Sequence, residues 1–157
     1  MKALGKSFLY AWQGLRYALR HERNLRIHLM CMLYMYLFLG LFDFFQLSRV
    51  EYALLFLANA LVLMGELINT AIESTINLMV KKYNRFAKAA KDTAAAAVLV
   101  AALFAIAVGI ALLWQPEAFR QLFLYFKEHS FALIAFVVSL ILGVLYVLHE
   151  PEKKDHA

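Results

Sequence analysis

The stretch GELINTAIES, Gly65–Ser74, places two glutamates and an asparagine inside an apolar segment that runs from Tyr52 to Val80. On an α-helix Glu66 and Glu73 are nearly two full turns apart, so they share a face. The same line holds three asparagines, Asn59, Asn69 and Asn77. Ionisable groups in a membrane helix are costly, face the bundle interior or a watery cavity, and mark function. The stretch therefore predicts a functional polar stripe, since asparagine hydrogen bonding between helices would explain one such residue but not five.

The composition around this stretch is that of an integral membrane protein. Hydrophobic residues make up 64% of the 157 residues and charged residues 17%, whereas a soluble domain is about half apolar and about a quarter charged. The net charge of +5 arises from basic residues that lie beside apolar segments. This placement favours anionic headgroups or a phosphate-rich ligand over nucleic acid.

Hydrophobic periodicity predicts an all-α membrane bundle with an N-terminal amphipathic surface helix over residues 1–22. Its apolar face carries Leu4, Phe8, Trp12, Leu15 and Leu19, and its other face is basic, which suits the headgroup boundary. Four membrane spans follow at about 27–47, 52–80, 93–114 and 130–148. The third opens with TAAAAV, whose small residues allow close helix approach. Pro116 and Pro151 fall just past predicted helix ends.

The distribution of lysine and arginine predicts the orientation of the chain. Thirteen of the 16 lie before the first span, between spans two and three, or in the tail, which includes Lys153 and Lys154. The other side of the membrane would carry Arg49, Arg120 and Lys127. Because positive residues accumulate on the cytoplasmic side, both termini are expected in the cytoplasm.

Several chemical groups converge at the predicted cytoplasmic surface. Glu73 and Asn77 end the second span, KKYNRFAKAAKD follows at 81–92, and Glu22 lies in HERNLRIH before the first span. Carboxylates suit Mg²⁺ held together with substrate phosphates, and a buried carboxylate could take a proton from a lipid hydroxyl. These parts fit phosphoryl transfer, yet no Walker A, GxGxxG or HRD motif is present. The residues alone thus indicate a membrane site for a metal and a phosphorylated ligand.

Three motifs resemble the small bacterial integral-membrane diacylglycerol kinases, a family that includes undecaprenol kinases. They are GELINTAIE at 65–73, AKD with AAAAVL at 90–99, and ERNLRIHL at 22–29, within a resemblance that covers roughly Tyr10 to Trp114. The resemblance implies an ATP-dependent lipid kinase of the bacterial cytoplasmic membrane. It also implies a homotrimer of three-span protomers, each with a surface helix, whose active sites are shared between neighbours.

The resemblance also implies roles for individual residues. Glu66 would be the general base on the lipid hydroxyl, and Asn69 would position groups beside it. Glu22 and Glu73 would hold Mg²⁺ on the phosphates of ATP. The remaining nucleotide contacts would come from Lys91, Asp92, Tyr83 and Lys82.

The sequence departs from the family pattern at three places. Asn77 stands where the best-known diacylglycerol kinases carry an acid, and Ala3 where some members carry an arginine that Lys2 or Lys6 would replace. Residues 117–157 add an extension with a fourth span to a kinase core of residues 1–116. ERNLRIHL and NTAIE lie closer to the undecaprenol kinase branch, which slightly favours undecaprenol over diacylglycerol as substrate.

Other interpretations of the same residues remain open at this point. The stripe could serve an ion or proton pathway in a non-enzymatic membrane protein, or the chain could be a regulatory helix-bundle subunit. Asp92 is also well placed as the N-cap of the third span, and His28 is more simply an interfacial histidine. Only a kinase would consume ATP in the presence of a lipid alcohol.

Overall fold

The computed structural model describes residues 2–149, without the side chains of residues 2 and 3, so Pro151, Lys153 and Lys154 and the side chain of Lys2 lie outside the description. The described residues form helices and no strands, as predicted for an all-α bundle. Six helices follow one another along these residues: α1 (Lys2–His21), α2 (Arg23–Leu41), α3 (Arg49–Met79), α4 (Arg85–Leu113), α5 (Pro116–Glu128) and α6 (Ser130–Leu148). Four of them, α2, α3, α4 and α6, are long and apolar enough to cross a membrane.

The four candidate spans pack in the order α4, α3, α2 and α6, and α1 contacts two of them. Within the described residues α4 packs on α3, α3 on α2, and α2 on α6, while α1 contacts α2 and α3 and α5 contacts α6. Near its end α1 buries Ala18, but Leu4, Phe8 and Trp12 stay exposed. The apolar face of the first turns is therefore free of this chain, as expected for a helix at a membrane surface.

The predicted bounds of the first two spans are wrong at the connection between them. α2 ends at Leu41, and residues 42–48 form a loop instead of continuing to about 47. α3 then begins at Arg49, because Ser48 and Glu51 form a capping box. The Ser48 N–H donates to Glu51 Oε2 at 2.6 Å, and the Glu51 N–H donates to Ser48 Oγ at 3.3 Å. Such a cap satisfies backbone donors that the first turn leaves unpaired.

The third span starts earlier than predicted, at Arg85 instead of about residue 93. Its N-cap is Asn84, whose Oδ1 accepts from the N–H groups of Phe86 and Ala87, so the prediction that Asp92 caps this helix is wrong. The alanines and lysines of AKAAKD favour helix. Asp92 consequently lies within the helix and pairs with Lys88 at 2.5 Å.

The segment between the last two spans is itself a helix that the sequence analysis did not predict. α5 has Pro116 in its first turn, where proline is tolerated, and the Arg120 guanidinium holds the pKa of Glu117 at about 2. The following helix, α6, has the bounds expected for the fourth span.

Helices α3 and α4 pack closely along their length and are longer than a membrane is thick. A Cβ added at Gly65 would lie 3.5 Å from Val98 Cγ2, so the two backbones approach at ordinary contact distance, as the TAAAAV segment suggested. The helices have 31 and 29 residues. At about 1.5 Å per residue, each exceeds a hydrocarbon core of about 30 Å. Their joined ends, where α3 finishes and α4 begins, form what we call the lysine-rich end.

Candidate functional site

Glu66 is the most deeply buried polar residue of the predicted stripe. Its side chain is 2% exposed on α3, and its Oε1 lies 3.3 Å from His28 Nε2 of α2. Among the described residues no group forms a hydrogen bond with this Oε1 atom. A buried oxygen without a hydrogen bond is costly, so a hydroxyl brought beside it by a ligand would meet an available acceptor.

The contact with His28 was missed by the sequence analysis. His28 belongs to ERNLRIHL and is itself 27% exposed, so it joins the buried carboxyl to a more accessible region. Nothing in the local sequence reveals the pairing, because the two residues are 38 positions apart and meet through the packing of α2 on α3.

Nearly two helix turns beyond Glu66, the polar stripe of α3 contacts a lysine of α4. Lys91 Nζ lies 3.5 Å from Glu73 Oε1 and donates to Asn77 Oδ1 at 2.6 Å. Asn77, where the resemblance led us to expect an acid, thus accepts a hydrogen bond from the lysine predicted to bind phosphate. These side chains are accessible, with Lys91 32% and Glu73 44% exposed.

Glu22 joins this group from the junction between α1 and α2, where it is the N-cap residue of α2. Its pKa is raised, first because it is partly buried and second because the Glu73 carboxylate repels its negative charge. His21 and Arg26 act in the opposite direction, toward a lower pKa. Negative charge that disfavours ionisation of the Glu22 carboxyl is relieved when a cation binds nearby.

The donor set fits magnesium only in a limited sense. The described residues contain no group of three or more metal-ligating side chains. Glu22 and Glu73 offer two carboxylates, and Mg²⁺ is commonly held by one or two carboxylates together with substrate phosphates and water. The residues present therefore fit a metal that arrives with a phosphorylated ligand, and not an all-protein metal cage.

A cavity of about 400 Å³ opens at the lysine-rich end beside these groups. Its polar lining comes from both helices and the loop that joins them: Asn77, Lys82, Tyr83, Asn84, Lys88 and Lys91. Three ammonium groups and an exposed tyrosine around one cavity suit an anionic ligand that has a flat ring system. Lys88 lines this cavity although the sequence did not single it out, because the early start of α4 places it in the first turns of that helix.

The remaining predicted residues are placed less decisively. Asn69 is half-buried one turn after Glu66, and its side chain makes no hydrogen bond within the described residues. Asp92 is exposed and paired with Lys88, and it does not line the cavity. At the far end of the stripe, Asn59 donates to the Tyr36 hydroxyl at 2.7 Å, which is helix-to-helix bonding of the ordinary kind.

Comparison with known proteins places this site in a family. The family described as prokaryotic diacylglycerol kinase matches residues 9–113, from α1 through α4. The chain is 43% identical over 111 residues to a diacylglycerol kinase of Synechocystis sp. (strain ATCC 27184 / PCC 6803 / Kazusa). That match covers 70% of this chain and 62% of the relative, so the chain spans less than two thirds of that relative's length.

Two further relatives are covered more completely. Identity to an undecaprenol kinase of Bacillus subtilis (strain 168) is 38% over 114 residues, or 71% of this chain and 88% of the relative. Identity to a diacylglycerol kinase of Escherichia coli (strain K12) is 32% over 106 residues, or 68% and 84%. With the three motifs and the site geometry, these matches show that the chain belongs to the prokaryotic diacylglycerol kinase family.

Proposed function

We propose that this protein transfers a phosphoryl group from ATP to the hydroxyl of a membrane lipid, giving a lipid phosphate and ADP. The observation that carries the proposal is the arrangement on α3. A buried carboxyl without a hydrogen bond at Oε1 shares a face of α3 with a second carboxylate and an amide, and a lysine of α4 contacts these last two beside a cavity. Membership of the family supports the same activity.

In this proposal Glu66 is the general base. It takes the proton of the lipid hydroxyl while the hydroxyl oxygen bonds to the γ-phosphorus of ATP. The bond from that phosphorus to the bridging oxygen breaks, and ADP leaves with the electron pair. Asn69, one turn away, orients the reacting groups.

Charge at the transferred phosphoryl group is balanced by the groups at the lysine-rich end. Lys91 neutralises phosphate oxygens, and Glu22 and Glu73 hold Mg²⁺. Magnesium, when bound, would supply positive charge that offsets the negative charge of the phosphates. Lys82 and Tyr83 bind the nucleotide from the loop, and Asp92 keeps Lys88 at the cavity through their ion pair.

The lipid substrate is undecaprenol or diacylglycerol. Relatives with each name lie at similar identity, 38% and 43%, and the ERNLRIHL and NTAIE segments favour undecaprenol. Both alcohols reach a site at the membrane surface with the same chemical group, so the structure of the site supports either.

We further propose that the protein lies in the bacterial cytoplasmic membrane as a homotrimer with both termini in the cytoplasm. The basic residues of the lysine-rich end support this orientation. Residues 1–116 form the kinase core in this proposal, which agrees with the family match to residues 9–113, and residues 117–157 form an extension.

The test is transfer of radiolabelled phosphate from ATP to lipid by the purified protein in mixed micelles. Undecaprenol and diacylglycerol are compared side by side. Glu66→Gln should remove turnover, by about a hundredfold or more, and leave magnesium-dependent ATP binding nearly intact. Glu117→Gln, which changes an exposed glutamate of α5, is the matched control and should retain activity.

Two outcomes would contradict the proposal. Normal turnover of Glu66→Gln would remove that residue from the role of base. Absence of product with both lipids would reject the kinase assignment, and ion flux through liposomes containing the protein would then test the polar stripe as an ion or proton pathway.

A further inference from the structure

Arg26 connects the ends of two helices that are far apart in the sequence. Its side chain is 4% exposed. Nη1 donates to the carbonyl oxygens of Leu19 and Arg20 at 3.2 and 3.1 Å, near the end of α1. Nη2 donates to those of Val147 and His149 at 3.1 and 3.2 Å, at the end of α6.

These hydrogen bonds provide donors for carbonyl groups at the ends of α1 and α6. The last carbonyl groups of a helix have no partner within it and carry partial negative charge. A guanidinium is always charged and offers donors in a fixed fork, so one group can bond to carbonyls on two sides. A lysine ammonium offers three donors from a single point and could not reach both helix ends in the same way.

The body of α6 is seated closely against α2. A Cβ added at Gly143 would lie 2.7 Å from Met30 Cε and 3.3 Å from the Tyr34 hydroxyl, so this position has no room for a side chain without movement. One turn earlier, the Tyr34 hydroxyl donates to Ser139 Oγ at 3.3 Å. α6 is thus fixed to α2 along its length as well as at its end.

Arg26 also belongs to the helix turn that begins at Glu22. Its backbone N–H donates to the Glu22 carbonyl at 3.4 Å. The junction at which Glu22 lies is therefore the same junction that Arg26 joins to α6, a helix outside the family-matched residues 9–113.

We propose that Arg26 is a positioning residue through which the fourth span holds Glu22 in place for binding of a magnesium–nucleotide complex. The inference rests on the proposed function, because it assigns Glu22 to that complex. In this proposal the extension positions a residue of the site, although α6 contributes no residue to the cavity at the lysine-rich end.

The test is a double-mutant cycle in the full chain, with Arg26→Lys, Gly143→Leu and the two combined. Two readouts are taken: magnesium dependence of binding of a non-hydrolysable ATP analogue, and kcat and KM for lipid. Each single variant should raise the magnesium concentration for half-maximal binding about two- to thirtyfold and leave KM for lipid unchanged. Because both changes act on the packing of α6 against α2, Arg26→Lys at its end and Gly143→Leu in its body, the double variant should show less than the product of the two effects.

Gly40→Leu is the matched control, since it introduces the same side chain on α2 at an exposed position with nothing within 4 Å of the added Cβ. Its magnesium dependence should equal that of the original protein. If Arg26→Lys fails to fold, as judged by size-exclusion profile and helical content, Gly143→Leu alone decides the question.

Normal magnesium dependence in folded Gly143→Leu, or fully multiplicative effects in the double variant, would overturn the proposal. The analogue-binding readout does not require turnover. Failure of the unchanged protein to phosphorylate lipid would therefore reject the proposed function, whereas normal binding by the variants would reject the positioning role alone.

Discussion

Glu66 and Glu73 share one face of α3, yet the chain surrounds them differently. Glu66 is 2% exposed and lies against an imidazole, whereas Glu73 is 44% exposed and lies beside an ammonium group. A buried carboxyl suits proton transfer, and an accessible carboxylate suits a hydrated cation that arrives with phosphates. The two roles proposed for these residues, general base and metal ligand, thus agree with how accessible each carboxyl is.

His28 should matter for turnover more than for binding. Its Nε2 lies 3.3 Å from the buried Oε1 of Glu66, so His28→Gln should change the placement of the proposed base. We expect kcat to fall about tenfold to a hundredfold, as for other supporting residues of a site, with KM for ATP unchanged. His129→Gln, whose ring bonds only to the Tyr125 carbonyl, is the control; equal kcat in the two variants would contradict the role.

The raised pKa of Glu22 predicts how stability depends on pH. Partial burial and the Glu73 carboxylate raise this pKa in the folded chain, so the folded state binds the proton more tightly than the unfolded state does. That stabilisation is present below the unfolded pKa and is lost as pH rises through the folded pKa.

Glu22→Gln should accordingly gain thermal stability relative to the unchanged protein as pH rises through this range without magnesium. Added Mg²⁺ should stabilise the unchanged protein and have less effect on the variant. The measurement is the unfolding midpoint in micelles over a pH series. A variant that loses stability with rising pH as fast as the unchanged protein would exclude this carboxyl as the cause.

At the scale of elements, the sequence predicted which segments are helical better than where they begin. Long apolar runs predicted α3, α4 and α6. The seven-residue spacing of Glu66 and Glu73 predicted that they share a face of α3. The starts of α3 and α4 were missed because they depend on side-chain capping by Ser48 and Asn84, and the amphipathic α5 was hidden by its short length and mixed polarity.

For the candidate site too, the sequence predicted local features but not the contacts between helices. Periodicity on one helix placed Glu66 and Glu73 together, and the resemblance supplied their roles. Glu66 pairs with His28, 38 positions away, and Glu73 with Lys91, 18 positions away. The Arg26 side chain bonds to a carbonyl group more than 120 positions away. Such contacts are set by helix packing and not by local pattern.

The early start of α4 can be tested through its cap. Asn84→Ala removes an acceptor from two backbone N–H groups and should cost about 1 kcal/mol of stability. Because the freed turns carry Lys88 and Lys91, affinity for the ATP analogue should fall as well. Ser48→Ala removes the equivalent cap of α3 and should lower stability without changing nucleotide affinity. Equal affinities in the two variants would argue that the first turns of α4 do not form the nucleotide site.

For the whole molecule, the packing of α3 on α4 predicts that Glu66 and Lys91 of one active site belong to the same chain. Glu66 and Lys91 lie on α3 and α4, which pack on each other along their length. Mixing Glu66→Gln subunits with Lys91→Met subunits should therefore restore no activity, since every α3–α4 pair carries one defect. Each variant mixed with unchanged subunits is the control. Recovered phosphorylation in the first mixture would show that neighbouring chains divide these two residues between them.

The hydrogen bonds of Arg26 with the end of α6 determine where a protein fused behind α6 would lie. With α6 present the spans are even in number, and the contacts of Arg26 with Val147 and His149 bring the end of α6 back to the α1–α2 junction. A chain that stopped after α4 would instead finish at the opposite face. A reporter protein joined behind α6 would thus lie on the same face as the α1–α2 junction. If the proposed function holds, it could sense the local release of ADP there or deliver a partner enzyme to the lipid phosphate product.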